Sequence, residues 1–309
     1  MGAVASFLPA RRQGLSALAR REEREFYLYI SPWLLGLFLF TLGPLVASFV
    51  ISFMDWVIVK PPTFIGLSNY REMLADPLFW QSLKVTSIYT FLDVPLRMAA
   101  SLLVAIALNQ QIKGVKLWRT IYYMPSVVPS VAVAMLFIWM LARRGLVNQL
   151  LGLVGLPPVN WFSEQMALYS LIIMSLWGYG ASMVIFLAGL QNVPAHLYEA
   201  AAIDGAGTLA RFWHITIPMI SPVILFNTVM AIIGTFQVFT TGYVVTGGGP
   251  NNATLFYVLY LYRNAFQYFR MGYACSLAWV LFVIILACTA LVFRSSPAWV
   301  YYEAEVARR

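Results

Sequence analysis

Acidic side chains are scarce in this chain: of 309 residues, 12 are Asp or Glu, while 61% are hydrophobic. Two of the acids, Glu199 and Asp204, stand in "EAAAIDGAGTLARFWHITIPMISP", a passage of small residues broken by Gly and Pro. A lone Glu on an Ala-rich helix suits a charge-assisted bond to a partner arginine; the plainer alternative is an amphipathic linker lying along a membrane surface. Asp93 and Arg97 lie one helical turn apart and can neutralise each other. An ionisable pair inside an apolar run is a site hypothesis by default, but a structural ion pair is the favoured reading. Trp177, Gly178 and Tyr179 in "LWGYGAS" set aromatics beside small residues. Asn227, Thr235, Gln237 and Thr240 in "FNTVMAIIGTFQVFTTG" add amides and hydroxyls, polar groups that are costly at membrane depth unless they face a cavity or another helix. Against a cavity stands the ordinary use of such groups, hydrogen bonding between neighbouring helices. His196, His214, Cys275 and Cys288 form no metal-ligand set. The two cysteines, on one helix, would lie roughly 20 Å apart at ~1.5 Å per residue, too far for a disulfide. No G-x-x-x-x-G-K-[ST] stretch occurs, so this chain is not expected to bind ATP. Nor is there the cluster of His, Cys or acids that a membrane enzyme would need.

These residues must be positioned by helices in lipid. Charged residues make up 10% of the chain, against about 25% in soluble domains, which with a mean hydropathy of +0.76 indicates a polytopic membrane protein. The net charge of +8 comes from Lys and Arg flanking apolar runs, a mark of topology rather than of nucleic-acid binding. Six segments qualify as spans: 27–53, 84–108, 120–141, 166–190, 216–243 and 272–293. With the N-terminus inside, the cytoplasmic side holds twelve Lys and Arg, including Arg11, Arg12, Lys113, Lys116, Arg211, Arg308 and Arg309, against seven outside. That bias puts both termini and the Glu199 passage in the cytoplasm. No cleavable signal peptide is expected, and "MGAVAS" is read as a chance match to a myristoylation pattern. The organisation expected is a cytoplasmic segment (1–26), a first span with its outer loop (27–83), a transmembrane domain (84–294) carrying the loop 192–218, and a cytoplasmic tail (295–309).

Within that loop, Asn192 is expected to cap a short helix with Pro194 in its first turn, and Asp204-Gly205 to end it. Ala200, Ala201 and Ala202 keep the rod, ~15 Å long, thin enough for close approach. A second helix is expected from Thr208 through "ARFWHI", with Pro218 and Pro222 breaking the backbone where the next span begins. In the first loop, Pro-Pro and Asp-Pro signal irregular backbone. The Trp of the third loop and the run "FYVLYLYRNAFQYF" are read as interfacial aromatics. "GGGPNN" is read as a turn on the outer side rather than a phosphate cradle, since no Lys follows it.

The order "EAA", three residues, Gly205, nine residues, "ITIP" resembles the EAA signature of ABC importer permeases. The resemblance extends to "GLSNY" (66–70), "WRTIYYMPSVVPSVAVAMLFIWM" (118–140), "GLVNQLLG" (145–152), "LQNVPAHLYEAA" (190–201) and "VVTGGGPNNAT" (244–254). Ile217 departs from the family's usual Leu, a conservative apolar change. The sequence is most similar to the larger permease of maltose, multiple-sugar and glycerol-3-phosphate type systems. That resemblance implies an all-α, six-span, type I importer (MetI-like) fold. It also implies an inner-membrane location and an assembly with a second permease, an ATPase dimer and an extracytoplasmic solute-binding protein, ATP and Mg being bound by the ATPase. By the same resemblance Glu199, Ala200, Ala201, Asp204 and Gly205 form the coupling helix that docks on the ATPase, and Gly178, Ala181, Thr235 and Val238 fall near a transmembrane sugar pocket. The rival expectation, a stand-alone secondary transporter or channel, would call for inverted repeats and no cytoplasmic knob; no clear repeat is visible.

Overall fold

The computed structural model describes residues 17–110 and 113–301. The basic residues Arg11, Arg12, Arg308 and Arg309, the "MGAVAS" segment and most of the tail lie outside the described residues. Among the described residues four helices are long and apolar enough to cross a membrane: α1 (Arg20–Ile51), α3 (Pro77–Leu108), α10 (Thr208–Phe236) and α12 (Met271–Ala298). Two further spans exist if each of two bent pairs is counted as one: α4 (Val115–Val127) with α5 (Ser130–Met140), bent by 94°, and α7 (Ala167–Gly178) with α8 (Gly180–Gln191), bent by 49°. Short helices α2 (Ser68–Ala75), α6 (Leu146–Leu153), α9 (Ala195–Ile203) and α11 (Tyr257–Tyr262) fill the connections. A two-residue hairpin pairs Met54–Asp55 with Thr63–Phe64.

The chain divides into two compact units, Met1–Ile51 and Ser52–Arg309. In the first, Leu37–Ile51 contains no buried residue, as expected of an apolar helix whose solvent is lipid. In the second, two clusters hold the helices together. One gathers Tyr89, Phe137, Leu171, Phe256, Tyr257, Tyr273 and Leu277; the other gathers Ala105, Leu108, Met183, Phe186, Leu187 and Ile220. Because lipid tails are as apolar as these side chains, what binds the helices is close packing rather than water exclusion. Rings meet edge to face, Tyr89 on Phe256 at 5.0 Å and Phe79 on Tyr257 at 5.9 Å.

Several sequence expectations are corrected here. Asp76-Pro77 does not mark irregular backbone; it starts α3, with the Asp76 carboxylate accepting from Leu78 N–H at 2.8 Å and Pro77 where a missing N–H costs nothing. Pro218 and Pro222 do not break the chain. Residues Phe212–Thr216 form a wide π-turn just before Pro218, and α10 continues through both prolines, the kind of local adjustment that lets a membrane helix tolerate Pro. The aromatic run is not an interfacial belt along its length: Phe256 and Tyr257 are completely buried and Tyr260 nearly so, and only its far end, Phe266, Tyr268 and Phe269, is exposed. Trp161 is half-buried against the same cluster, its indole N–H donating to Asn148 Oδ1 at 3.1 Å. Asn148 also donates to the carbonyls of Ala142, Arg143 and Val159 and accepts from Val159 N–H, closing the whole third connection.

Candidate functional site

The Glu199 passage folds as a short rod laid against the start of a span. Asn192 is not the cap of α9; its N–H bonds back to Gly189 C=O at 3.2 Å and so ends α8. Pro194 takes the cap position instead, extended at φ −62° and ψ 129°, and its carbonyl receives Leu197 N–H at 3.2 Å. At the other end Gly205 adopts φ +78°. Its N–H reaches Ala202 C=O at 3.2 Å, and Ala206 N–H reaches Ala201 C=O at 2.8 Å, the paired bonds of a Schellman stop. The chain then turns directly into α10 at Thr208, and Tyr198 Oη meets Thr216 Oγ1 at 2.9 Å to pin rod to span. Glu199, Ala200, Ala202, Asp204 and Gly205 are exposed, and Ala201 is half-exposed. Around them Ile203, Leu209 and Trp213 are 88%, 71% and 58% exposed. Large apolar groups clustered beside two exposed acids are the makings of an interaction surface.

A second site lies where the two bent pairs face each other. α7 and α8 meet at Tyr179, and α4 and α5 at Val128-Pro129. Gly180 permits this contact: a Cβ there would sit 2.5 Å from Ser126 Oγ and 2.8 Å from the Tyr122 carbonyl. The cavity between the bends, about 290 Å³, is lined by Trp177, Gly178 and Ala181 together with Ser126, Ser130, Ser175 and Thr241. Broken helices with small residues and hydroxyls are tolerated at membrane depth where they line such a space. Ser126, Ser130, Ser175 and Thr241 were not among the sequence candidates; the cues were the closeness of the serines to Pro129 and to the "WGYG" motif, and of Thr241 to Thr240.

The remaining candidates lie elsewhere. Tyr179 packs on the second core cluster, its carbonyl accepting from Ser101 Oγ at 3.3 Å. Asn227 and Thr235 are buried and donate within their own helix, to Val223 and Ala231 carbonyls. Val238 packs on the first cluster. Gln237 is exposed at the end of α10 and borders a separate, apolar groove with Leu261, Leu281 and Phe282.

Behind the cavity, Asp93 is wholly buried and Arg97 Nη2 meets its Oδ2 at 2.8 Å. Ser175, on the cavity wall, donates to the other carboxylate oxygen. The pair therefore braces α3 against the bend of α7, consistent with the structural reading.

At the opposite end of the molecule from α9, Asp76 accepts hydrogen bonds from the hydroxyls of Tyr260 and Tyr273. Burial works against its ionisation, but these bonds and those from the N–H groups of Leu78 and Phe79 hold its carboxyl below the usual carboxylate range. Beside it Arg270 forks onto both oxygens of Glu72 at 2.7 Å. "GGGPNN" forms a turn with left-handed residues at Gly247, Gly248, Asn251 and Asn252. Thr254 ties it to the Gly249 carbonyl at 2.8 Å, and Asn251 to Glu164 at 2.9 Å.

Comparison with known proteins accounts for this architecture. Residues 97–299 match the family described as binding-protein-dependent transport system inner membrane component. The chain is 42% identical over 292 residues to the probable ABC transporter permease protein YesP of Bacillus subtilis (strain 168), spanning 93% of this chain and 94% of that one. It is 33% identical to the arabinooligosaccharides transport system permease protein AraP of the same organism, over 94% of each chain. Its fold is similar, at a TM-score of 0.80 and 22% identity, to a chain of a bacterial ABC transporter involved in the import of the acidic polysaccharide alginate, covering 92% of this chain and 99% of that one. The chain belongs to the binding-protein-dependent inner membrane components: it is an ABC transporter permease, a transport subunit whose ATP hydrolysis resides on a separate chain.

Proposed function

We propose that this permease is the larger of two membrane-spanning subunits in a type I importer, working with a second permease, an ATPase dimer and an extracytoplasmic solute-binding protein. Its cargo is a sugar or oligosaccharide, or a glycerol-3-phosphate-like solute. Relatives named for arabinooligosaccharides and lactose support that class. Six spans with both termini in the cytoplasm put α9 on the ATPase side, within a transmembrane domain that runs from about 84 to 294.

One observation carries the mechanism. A thin, Ala-rich rod presents Glu199, Ala200 and Ala201 from a turn set by Asp204 and Gly205, with apolar Ile203 and Leu209 exposed on either side. A rod of this shape is suited to a cleft on an ATPase, with Glu199 meeting an arginine. Closing of the ATPases around ATP would then draw the rod toward its counterpart. Because Tyr198 is bonded to Thr216, the pull passes into α10 and on to the bent helices around the cavity. Trp177 offers an aromatic face there, Gly178 and Ala181 the clearance, and the serine and threonine hydroxyls the hydrogen bonds for a passing sugar. Tyr179, Asn227, Thr235, Gln237 and Val238 complete the proposed pathway in other conformations of the bundle.

The test is co-purification and uptake. Glu199→Arg should weaken retention of the ATPase and abolish uptake while leaving membrane insertion intact. Full uptake by that variant, with an ATPase never retained by the wild-type chain, would refute the coupling reading.

A further inference from the structure

Beneath the root of the coupling rod lies a cavity of about 280 Å³ that the transport reading leaves unused. It is bounded by the ends of α3 and α8, by Tyr198 of α9, and by Thr208, Arg211, Phe212 and Thr216 of α10. Its polar wall is made of Asn109, Gln110, Tyr198, Thr208, Arg211 and Thr216, which bring amide, hydroxyl and guanidinium donors and no acid. The ion pairs among the described residues join Arg21 to Glu25, Arg97 to Asp93 and Arg270 to Glu72; Arg211 takes part in none. Its Nε is buried and has no hydrogen-bond partner. A guanidinium group left so, with donors around it, has the chemistry to meet the oxygens of a phosphate. The opposite wall, Ile106, Leu190 and Phe212, is apolar.

We propose that this cavity is an anion site that takes the phosphate group of an anionic phospholipid, with Arg211 as its principal ligand. The inference rests on the cytoplasmic placement of the loop. Basic pockets between membrane helices on the cytoplasmic side are where anionic headgroups bind, and the apolar wall suits the start of an acyl chain. A soluble phosphate shares the same oxygens and is the other source of this ligand. Tyr198 and Arg211 lie on either side of the Gly205 turn, so an occupant held by both would fix the angle between α9 and α10. Coupling would thereby depend on the lipid around the transporter.

The experiment uses the full chain co-expressed with its partner subunits and reconstituted in nanodiscs of phosphatidylcholine alone or with phosphatidylglycerol. Native mass spectrometry counts retained phosphatidylglycerol, and thermal melting reads its effect. The wild type should retain the lipid and melt higher in its presence; Arg211→Gln should retain about tenfold less, the loss expected for charge-assisted bonds, and show no gain in melting temperature. Arg211→Lys, which keeps the charge, should retain an intermediate amount, and serves if the Gln variant folds poorly. If inorganic phosphate raises the melting of the wild type in phosphatidylcholine, and not of Arg211→Gln, the site is an anion site fed from solution. Equal lipid retention by wild type and Arg211→Gln, with no difference in phosphate, overturns the proposal. So does loss of the ATPase from Arg211→Gln with lipid retention unchanged, which would make the arginine's partner a carboxylate on the ATPase. Lipid is counted whether or not Glu199 docks, so failure here is separable from failure of the coupling reading.

Discussion

At Gly205 the backbone stands at φ +78° with open space where a Cβ would go. The demand for glycine is therefore conformational and not steric. A β-branched residue there pays about 1–2 kcal/mol for the left-handed backbone, enough to loosen the turn without unfolding the helix bundle. Gly205→Val should insert normally, as measured by membrane fractionation, and transport slowly; normal uptake would separate the turn from coupling. Asp93 poses the opposite case, a buried charge with its partner already supplied. Asp93→Asn strands Arg97 with part of its guanidinium already without a hydrogen bond, a loss of about 3 kcal/mol. The pair Asp93→Leu with Arg97→Leu should recover most of the melting temperature, since an apolar replacement of both partners removes the stranded charge. Both residues were legible from sequence, Gly205 from the Asp-Gly stop and Asp93–Arg97 from i,i+4 spacing, because the bonds that define them span only three to five residues. Asn148 was not legible: its partners at Val159 and Trp161 lie across a loop, and nothing in "GLVNQLLG" sets that Asn apart from an ordinary polar residue.

The elements followed the same division. Four of the six expected spans overlap single long helices, with ends displaced by up to about eight residues as at Thr208–Phe236, and the other two fall on the bent pairs. Span positions came from apolar run length. The bends did not, because a bend between two apolar helices changes neither run length nor hydrophobic content. Pro129 marks one bend, but Pro95, Pro218 and Pro222 sit inside continuous helices, so proline alone does not decide. What decides is close approach elsewhere, as at Gly180, whose missing side chain admits the Tyr122–Ser126 segment. Gly180→Val should push α4 and α8 apart at a cost of about 1–3 kcal/mol and alter the cavity at Trp177; a lowered melting temperature with reduced uptake is expected, and an unchanged one would mean the bend is not maintained by this contact. The aromatic run misled for a related reason. Tyr and Phe next to Arg and Asn read as an interface, yet Tyr257 is committed to the core through bonds to Thr86 and the Leu277 carbonyl.

At the scale of the whole molecule, the two ends are built for different purposes. The end carrying Asp76, Glu72 and Arg270 is cross-linked by side chains far apart in sequence, and stability there depends on pH in a definite direction. Because the Asp76 carboxyl is held below its usual value of 3.8, its contribution is complete above about pH 4 and is lost as pH falls through the lowered value. Acid melting curves should therefore show wild type and Asp76→Asn separated at neutral pH and converging as pH falls below the ordinary carboxyl value. A constant separation would assign the network no linked proton. The end carrying α9 is held mainly by Tyr198–Thr216 and leaves Ile203, Leu209 and Trp213 uncovered, as fits a surface completed by another subunit. The measurement that tests this most directly is cysteine cross-linking from the exposed face of α9. Ala200→Cys, in the assembled transporter with Cys275 and Cys288 replaced by Ser, should form an adduct with the ATPase subunit through a bifunctional maleimide–succinimidyl ester reagent, its maleimide taking the Cys thiol and its ester an ATPase lysine, with a yield that changes when ATP is added. Retention of the ATPase without any adduct from Ala200→Cys, under conditions where that thiol still reacts with a small maleimide, would contradict the claim that α9 is the coupling helix.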